Sequence, residues 1–241
     1  INHSFTTVST GGFSTKNASI SAFENPLIEY IITGFMLIGG INFSIIYFLC
    51  KFSFRKALEN EEFRVYLGIV ISFVILITTT LYLTMDEQVE KSFRHAFFQV
   101  TSIVTTTGFS TSNYATWTPF AYMLIVFLMF VGGSAGSTAG GVKVARHLII
   151  FKNAYIEFKR LLHPRGVIRV RMNNQTVDSK NVYNVLAFFF IYLLVFVFGS
   201  LVISGFGYDI VTSAGASIAC LGNIGPGFGG VDPSHSFAFF W

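Results

Sequence analysis

The 241-residue chain is 52% hydrophobic and 17% aromatic, and only 12% of its residues are charged. An ordinary soluble domain carries about a quarter charged residues, so this composition excludes a normal solvated surface. The net charge of +4 does not indicate nucleic-acid binding, because that function needs Lys and Arg clustered on a solvated face among polar residues.

Long runs without charged residues predict membrane-spanning helices. Residues 65–85, 115–142 and 182–208 contain no Asp, Glu, Lys or Arg, and residues 26–50 contain a single one, Glu29. Each run reaches the roughly 20 residues that a helix needs to cross a bilayer. The sequence therefore predicts an all-α polytopic membrane protein.

The distribution of basic residues predicts which side faces the cytoplasm. Lys16, Lys91 and Arg94 lie in the segments on one side of the predicted spans, and the other thirteen of the sixteen basic residues lie on the opposite side. Since basic residues concentrate in cytoplasmic segments, residues 51–64 and 143–180 are predicted to be cytoplasmic.

The chain contains an internal repeat with a period of 96 residues. Seven of the ten residues at positions 8–17 recur unchanged in the second copy, which would rarely happen by chance. The repeated residues are Val8, Thr10, Gly12, Phe13, Ser14, Thr15 and Asn17, which return as Val104, Thr106, Gly108, Phe109, Ser110, Thr111 and Asn113. The repeat indicates that one structural unit is present more than once.

The second copy shows the order of parts within a unit. A spanning helix near residues 63–85 is followed by an acidic turn at residues 86–90, a short apolar stretch at residues 93–104, the repeated loop, and a helix from about Pro119. The short stretch is too short to cross a bilayer. We therefore predict a re-entrant helix that dips into the membrane and returns as an extended strand. Backbone at that depth is tolerated where it lines a water-filled path, so the pattern favours a pore.

A third unit is predicted by role more than by identity. It begins with a spanning helix at residues 182–203, continues through the apolar stretch 210–220 and reaches a loop in which Gly225 takes the place of Gly12 and Gly108. We expect about two and a half units, with a spanning helix missing at each end. The predicted division is the end of one unit at residues 1–62, a complete unit at 63–181 and a unit without its last helix at 182–241.

Four motifs in order carry a resemblance to a known family. They are STGGFST at residues 9–15, TTTGFST at 105–111, GGSAGSTAGGVKVARHLII at 132–150 and GNIGPGF at 222–228. Together they resemble the Trk/Ktr/HKT superfamily of potassium transporters, most closely its bacterial members. The resemblance implies four units of helix, re-entrant pore loop and helix around a central pore, in a multi-pass protein of the bacterial inner membrane. This chain would correspond to the second unit from its filter loop onward, the third unit, and most of the fourth.

The resemblance implies that each loop contributes one strand of a potassium selectivity filter. Backbone carbonyls, with Thr or Ser hydroxyls, can replace the water that a potassium ion sheds, without a full charge that would trap the ion. Glycine permits the conformations that turn successive carbonyls to one side. The alternative is that these small residues only let helices pack closely. The candidate filter residues, with potassium as the transported ion, are Ser9, Thr10, Gly11, Gly12, Thr105, Thr106, Thr107, Gly108, Gly222, Asn223, Ile224 and Gly225.

A glycine-rich segment at residues 132–141 interrupts what would otherwise be one long helix. Five of its ten residues are Gly, and each costs a helix about 1 kcal/mol relative to Ala. In the resembled family such a loop lies under the filter and acts as a gate, while the alternative is a packing kink. The basic residues after it could control a gate or anchor the chain at the cytoplasmic surface. The candidate gate residues are Gly132, Gly133, Ser134, Ala135, Gly136, Ser137, Thr138, Ala139, Gly140, Gly141, Lys143 and Arg146.

The segment after the gate predicts a cytoplasmic extension. Residues 151–162 form an amphipathic stretch, residues 163–166 a turn, and residues 167–170 a short exposed strand. The resemblance implies that this basic surface docks a nucleotide-binding regulatory subunit of the TrkA type. It also implies a homodimer embedded in the lipid bilayer.

Two other classes of protein compete with a channel-like transporter. A secondary transporter of a small solute also uses broken helices, at a site near the middle of the membrane. Such proteins usually contain inverted halves, whereas the 96-residue shift relates units of the same orientation. A membrane enzyme would need a polar catalytic cluster within the bilayer, and the sequence predicts none.

Overall fold

The computed structural model describes residues 1–85, 88–162, 168–235 and 237–240. Within these ranges the chain forms ten α-helices, four short 3₁₀ helices and a two-stranded hairpin. The α-helices are α1 (Asn2–Val8), α2 (Pro26–Gly39), α3 (Phe43–Cys50), α4 (Phe54–Glu59), α5 (Glu61–Met85), α6 (Val89–Val104), α7 (Pro119–Leu128), α8 (Val144–Leu162), α9 (Ser179–Gly205) and α10 (Ile210–Gly222). The 3₁₀ helices are Ser19–Phe23, Tyr114–Thr116, Gly229–Val231 and Phe237–Phe240, and the strands are β1 (Arg171–Met172) and β2 (Gln175–Thr176).

Side-chain and proline signals set the starts of α2 and α7. Asn25 precedes Pro26, and its side chain accepts a hydrogen bond from the amide of Leu27. Thr118 stands in the same place before Pro119. A polar N-cap followed by proline favours the start of a helix. The side chain of the cap accepts a hydrogen bond from an otherwise unpaired amide, and proline has no amide hydrogen that would need a partner.

Two helices, α5 and α9, are long and apolar enough to cross a membrane, and the described residues contain a third candidate if α2 and α3 count as one bent span. Most side chains of α9 are exposed, and only Val182 and Tyr192 on it are buried. Such an apolar surface suits lipid rather than water. The predicted spans at residues 63–85 and 182–203 are confirmed, and each helix starts two or three residues earlier.

Two other predicted spans are not continuous helices, and the glycine-rich segment at residues 132–141 interrupts the second as predicted. The run at residues 26–50 is divided into α2 and α3, which meet at an angle of 114°. Gly40 sits at this bend against the Tyr66 hydroxyl, where a side chain would overlap that oxygen. Asn42 then caps α3 by accepting a hydrogen bond from the amide of Ser44. The run at residues 115–142 contains only the ten-residue helix α7, because the glycine-rich segment follows it.

The core lies around α6, which packs between α2 and α5. Every residue from Phe98 to Thr107 is buried. Helix α5 supplies a stripe of buried apolar side chains toward α6 and α7. Helix α9 packs against α10. This packing gives the end of α6, and the loop after it, the most enclosed position in the chain.

The cytoplasmic extension contains a tight hairpin. Strands β1 and β2 pair antiparallel, with Arg171 opposite Thr176. Asn173 and Asn174 between them both have positive φ angles, 51° and 62°, as a type I′ turn requires. The strand predicted at residues 167–170 is therefore wrong in position, since the turn sets the pairing farther along the chain. The predicted turn at residues 163–166, with Val167, and the acidic residues Asp86 and Glu87 lie outside the described residues.

Candidate functional site

Three short helices, α1, α6 and α10, end with the same backbone turn. The residue at the turn has a left-handed conformation in each case: Thr10 at φ 51°, Thr106 at 53° and Asn223 at 55°. Its amide bonds to the carbonyl three residues earlier, and the next amide to the carbonyl five residues earlier, which is the Schellman pattern of helix ends. These bonds are Thr10 to Thr7, Thr106 to Ile103, Asn223 to Cys220, Gly11 to Thr6, Thr107 to Ser102 and Ile224 to Ala219, at 2.8–3.2 Å.

A glycine with a positive φ angle follows two residues after each turn. These glycines are Gly12 at 65°, Gly108 at 80° and Gly225 at 101°. Residues other than glycine rarely adopt such angles. The third loop therefore repeats the backbone of the first two, although its sequence shares little with them.

The glycines place the three loops side by side. A side chain on Gly12 would overlap the carbonyl oxygen of Thr107, and one on Gly108 would overlap the carbonyl oxygen of Ile224. Each glycine thus lies against the carbonyl that precedes the glycine of the next loop. Gly225 has no atom of the described residues within 4 Å of its own Cβ position. The three loops therefore lie in sequence, the first against the second and the second against the third, and the described residues leave the Cβ side of Gly225 uncovered.

The hydroxyls of the second loop bond within the protein. Thr105 donates to the carbonyl of Thr101 at 2.7 Å and lies 2.8 Å from the Thr107 hydroxyl. Thr106 accepts a hydrogen bond of 2.5 Å from the amide of Gly140. These bonds orient the three hydroxyls, and each hydroxyl keeps acceptor capacity beside the backbone carbonyls of the loop. In the other loops Ser9, Asn223 and Gly225 are exposed, whereas Thr10 and Ile224 are buried.

The segment at residues 132–141 is not helical, as predicted, and it lies directly against the second and third loops. Besides the bond to Thr106, a Cβ on Gly140 would stand 2.9 Å from the carbonyl oxygen of Gly222 and 3.0 Å from Cβ of Asn223. Thr138 donates to the carbonyls of Gly39 at 3.1 Å and Val8 at 3.3 Å. The segment therefore touches the second and third loops and the end of the helix before the first.

The base of this segment is closed by its own backbone. Gly132 donates to the carbonyl of Val142 at 2.8 Å, and Val144 donates to the carbonyl of Gly133 at 3.1 Å. Gly136 makes the sharp turn at φ 71°, where Phe43 donates to its carbonyl. The segment is thus an ordered loop with hydrogen bonds at both ends, and α8 leaves from it.

Lys143 and Arg146 point to different neighbours. The Lys143 ammonium donates to the carbonyl of Ala139 within the segment. Burial, and then the charge of Arg146, lowers the pKa of Lys143, while the nearby Glu62 carboxylate acts in the opposite direction. The Arg146 guanidinium lies 3.8 Å from the ring centre of Phe188 on α9. Lys143 therefore belongs to the segment itself, whereas Arg146 joins α8 to α9.

Side chains that the sequence did not single out fix the outer parts of the loops. The buried Tyr114 hydroxyl donates to the carbonyl of Gly227, and the Tyr122 hydroxyl accepts from the amide of Gly229 at 3.2 Å. The Thr212 hydroxyl accepts from Gly230 at 2.8 Å. Tyr114 directly follows the repeated loop, which is the one signal in the sequence that could have marked it.

Asp232 organises the rim beyond the third loop. Its carboxylate accepts hydrogen bonds from the amide and the hydroxyl of Ser234 at 2.8 and 2.6 Å and lies 3.0 Å from Nδ1 of His235. Asn113, just after the second loop, donates to the same Ser234 hydroxyl at 3.1 Å. Burial opposes the ionisation of Asp232, but these hydrogen bonds outweigh it and lower the pKa of its carboxyl group.

A buried ion pair joins α2 to α6. Arg94 lies 2.6 Å from Glu29, and their side chains are only 13% and 7% exposed. Arg94 also pairs with Glu90 at 3.0 Å, and the Tyr30 hydroxyl donates to Glu90 at 3.1 Å. This cluster holds the start of α6 and so sets the position of the loop at its other end.

The fold and the loops define an all-α polytopic membrane protein built from repeated helix and loop units. The family described as TrkH, cation transport protein, matches residues 1–240. The chain belongs to this family.

The chain is also similar to individual Trk system proteins. The chain is 38% identical to the Trk system potassium uptake protein TrkH of Salmonella typhimurium over 231 residues, which are 95% of this chain and 48% of the relative. It is 36% identical to the Trk system potassium uptake protein TrkG of Escherichia coli over 228 residues, 94% of this chain and 47% of the relative. The chain spans about half the length of these relatives.

A solved structure has the same fold. The crystal structure of the potassium transporter TrkH from Vibrio parahaemolyticus superimposes with a TM-score of 0.89 at 36% sequence identity. The match covers 96% of this chain and 50% of that one.

Proposed function

We propose that this chain forms part of the potassium-translocation path of a Trk-type uptake system in the bacterial inner membrane. The observation that carries the proposal is that Gly12 and Gly108 each lie against a carbonyl of the next loop. We infer from it that the loops form three sides of a ring around the ion path. A ring of backbone carbonyls can replace the hydration shell of a potassium ion. Membership of a cation-transport family supports the same reading.

The helices before the loops favour a cation at the ring. The ends of α1, α6 and α10 lead into the three loops, and the carboxyl end of a helix carries a partial negative charge. Backbone carbonyls of the loops are the proposed ligands of potassium, because carbonyl oxygens can replace the hydration shell of the ion. We assign residues 1–62, 63–181 and 182–241 to three successive pore units. We propose that a loop of another pore unit lies at the open side beside Gly225.

The segment at residues 132–141 is the proposed gate. It touches the second and third loops through Gly140, on the side where the helices end. A peptide of small residues can shift with little loss of packing. The ammonium of Lys143, bound to the carbonyl of Ala139, adds a fixed positive charge that would repel a passing cation while the segment stays in this position.

The cytoplasmic extension is the proposed site of assembly. Phe151, Tyr155, Phe158 and Leu162 recur along α8 and are 62–76% exposed. Exposed apolar surfaces of this kind mark contacts with other protein chains or with the membrane. We propose that this face takes part in a homodimer and that the basic residues around it dock a nucleotide-binding regulatory subunit of the TrkA type.

A secondary transporter is the second candidate, because α2 and α3 form a broken helix and such transporters use broken helices. The equal turns at Thr10, Thr106 and Asn223 argue for the channel-like arrangement. These turns belong to units that repeat in the same orientation along the chain, whereas a secondary transporter usually contains two inverted halves.

Ion flux through the intact protein in liposomes tests the proposal. We expect rubidium and potassium to pass in preference to sodium, and Gly108→Ser to abolish flux or weaken that preference. Gly68→Ser is the matched control, since a side chain at Gly68 meets no atom within 4 Å. A coupled flux that saturates with a small organic solute, or a Gly108→Ser variant with unchanged preference, would overturn the proposal.

A further inference from the structure

A buried carboxylate bonds both to the segment at residues 132–141 and to α8, the helix that leaves it. Glu62, in the first turn of α5, is only 4% exposed, and charged side chains are rarely buried unless they are paired. Its Oε1 accepts a hydrogen bond of 2.5 Å from the amide of Ala135. The same carboxylate accepts a backbone hydrogen bond from Ala145, in the first turn of α8. One side chain therefore bridges the segment and the helix that leaves it.

The peptide of Ala135 is gripped from both sides. While Glu62 accepts from its amide, the side-chain amide of Asn42 donates to its carbonyl at 2.5 Å. Asn42 is itself fixed, because its oxygen caps α3. The neighbouring amide of Ser134 donates to the carbonyl of Gly40 at 2.9 Å. The bend between α2 and α3 and the start of α5 thus form a socket for this half of the segment.

The other half of the segment is held differently. In residues 139–141, the amide of Gly140 donates to the hydroxyl of Thr106 in the second loop, and the carbonyl of Ala139 accepts from the ammonium of Lys143. Lys143 is also the cation whose charge acts on Glu62. The socket at Ala135 therefore limits how far the half of the segment beside the loops can move.

We infer that Glu62 is a positioning residue that fixes the closed position of the gate through Ala135. The inference rests on the proposed function, since it assigns a role to one carboxylate in that gate. Replacing the carboxylate with a neutral carboxamide would weaken the hydrogen bonds that the amides of Ala135 and Ala145 donate, because a charged acceptor stabilises such a bond more than a neutral one does. The closed position would then lose part of its free-energy advantage over positions in which the segment has moved away from the loops.

The test compares Glu62→Gln with Glu61→Gln in the intact protein. Glu61 is the adjacent carboxylate and pairs with Lys152 on α8, not with the segment. Two readings are taken: rubidium flux in liposomes without any partner protein, and the rate at which a membrane-impermeant thiol reagent labels Ser137→Cys when other cysteines are replaced. We expect Glu62→Gln to raise both about tenfold, as the loss of a charge-assisted hydrogen bond predicts, and Glu61→Gln to change neither.

The outcomes separate this inference from the proposed function. Equal labelling and flux in Glu62→Gln, Glu61→Gln and wild type would overturn the role of Glu62 while leaving potassium transport intact. Wild-type protein that is folded and carries no rubidium or potassium would instead overturn the proposed function. If Glu62→Gln does not fold, Glu62→Asp keeps the charge but shortens the side chain by one methylene. The same increase in labelling is expected of it, and labelling at the wild-type rate would count against the inference.

Discussion

The amide of Gly140 donates a hydrogen bond of 2.5 Å to the side-chain oxygen of Thr106, and this bond joins the proposed gate to the second loop of the ring. Thr106→Val removes the acceptor but keeps the β-branched shape. A hydrogen bond is worth about 1 kcal/mol, so we expect flux without a partner to rise about fivefold. Thr106→Ser, which keeps the hydroxyl, should behave as wild type. Equal flux in the Val and Ser variants would show that this bond does not hold the gate.

Gly12 should tolerate no side chain. Alanine there would overlap the carbonyl of Thr107, and the left-handed backbone costs another ~1–2 kcal/mol. We expect Gly12→Ala to lower the melting temperature in detergent and to impair flux. Gly34→Ala is the control, because its Cβ meets nothing within 4 Å and alanine favours the helix by about 0.5–1 kcal/mol. A Gly12→Ala protein as stable and active as wild type would contradict the ring arrangement.

The pair of Glu29 and Arg94 should be needed for stability as a pair. Arg94→Leu leaves the buried carboxylate of Glu29 without its partner, which costs about 3–5 kcal/mol. The double variant Glu29→Leu with Arg94→Leu removes both charges and should recover much of this loss. Thermal unfolding of the three proteins in detergent provides the measurement. A double variant no more stable than Arg94→Leu would argue against an ion pair at this position.

Asp232 should stabilise the rim of the third loop in a pH-dependent way. Its pKa is lowered in the folded protein, so its stabilisation is complete above the ordinary Asp value of about 3.9 and is lost as the pH falls through the lower folded value. Melting temperatures of wild type and Asp232→Asn should differ at neutral pH. The two curves should converge in acid, and a difference that grows toward low pH would reverse the sign of this argument.

Sidedness is open to a direct chemical test. The distribution of basic residues predicts that Glu90, at the start of α6, faces outside and that Lys159, on α8, faces the cytoplasm. Both residues are exposed. In oriented vesicles, Glu90→Cys should react with an impermeant thiol reagent from the outer side and Lys159→Cys from the cytoplasmic side. The opposite pattern would invert the whole arrangement.

The sequence predicted those features that depend on local composition. The uncharged runs predicted α5 and α9, the glycine content predicted the break at residues 132–141, and the role of Gly225 predicted the third loop. The bend at Gly40 escaped prediction, because residues 26–50 carry a single charged residue, Glu29, and a close contact with Tyr66, in another helix, decides the break. The filter and gate assignments themselves stay predictions.

Glu62 could not be recognised from the sequence for a related reason. It begins a helix beside other charged residues, where a glutamate is ordinarily solvated. What distinguishes it is a hydrogen bond to Ala135, which lies 73 positions away along the chain. Contacts of this kind follow from how α2, α5 and α8 pack together, and local sequence patterns contain no record of them.

The contact of Gly12 with the carbonyl of Thr107 has a consequence for biosynthesis. The loops that meet there come from parts of the chain made far apart in time, and Gly108 must wait longer still for Ile224. Until the last loop is inserted, the earlier ones expose polar backbone without its final neighbours, and bare backbone is costly in lipid. The ring is therefore a late product of membrane insertion, and a ribosome stalled before residue 222 would leave the first two loops dependent on water, lipid headgroups or the insertion machinery.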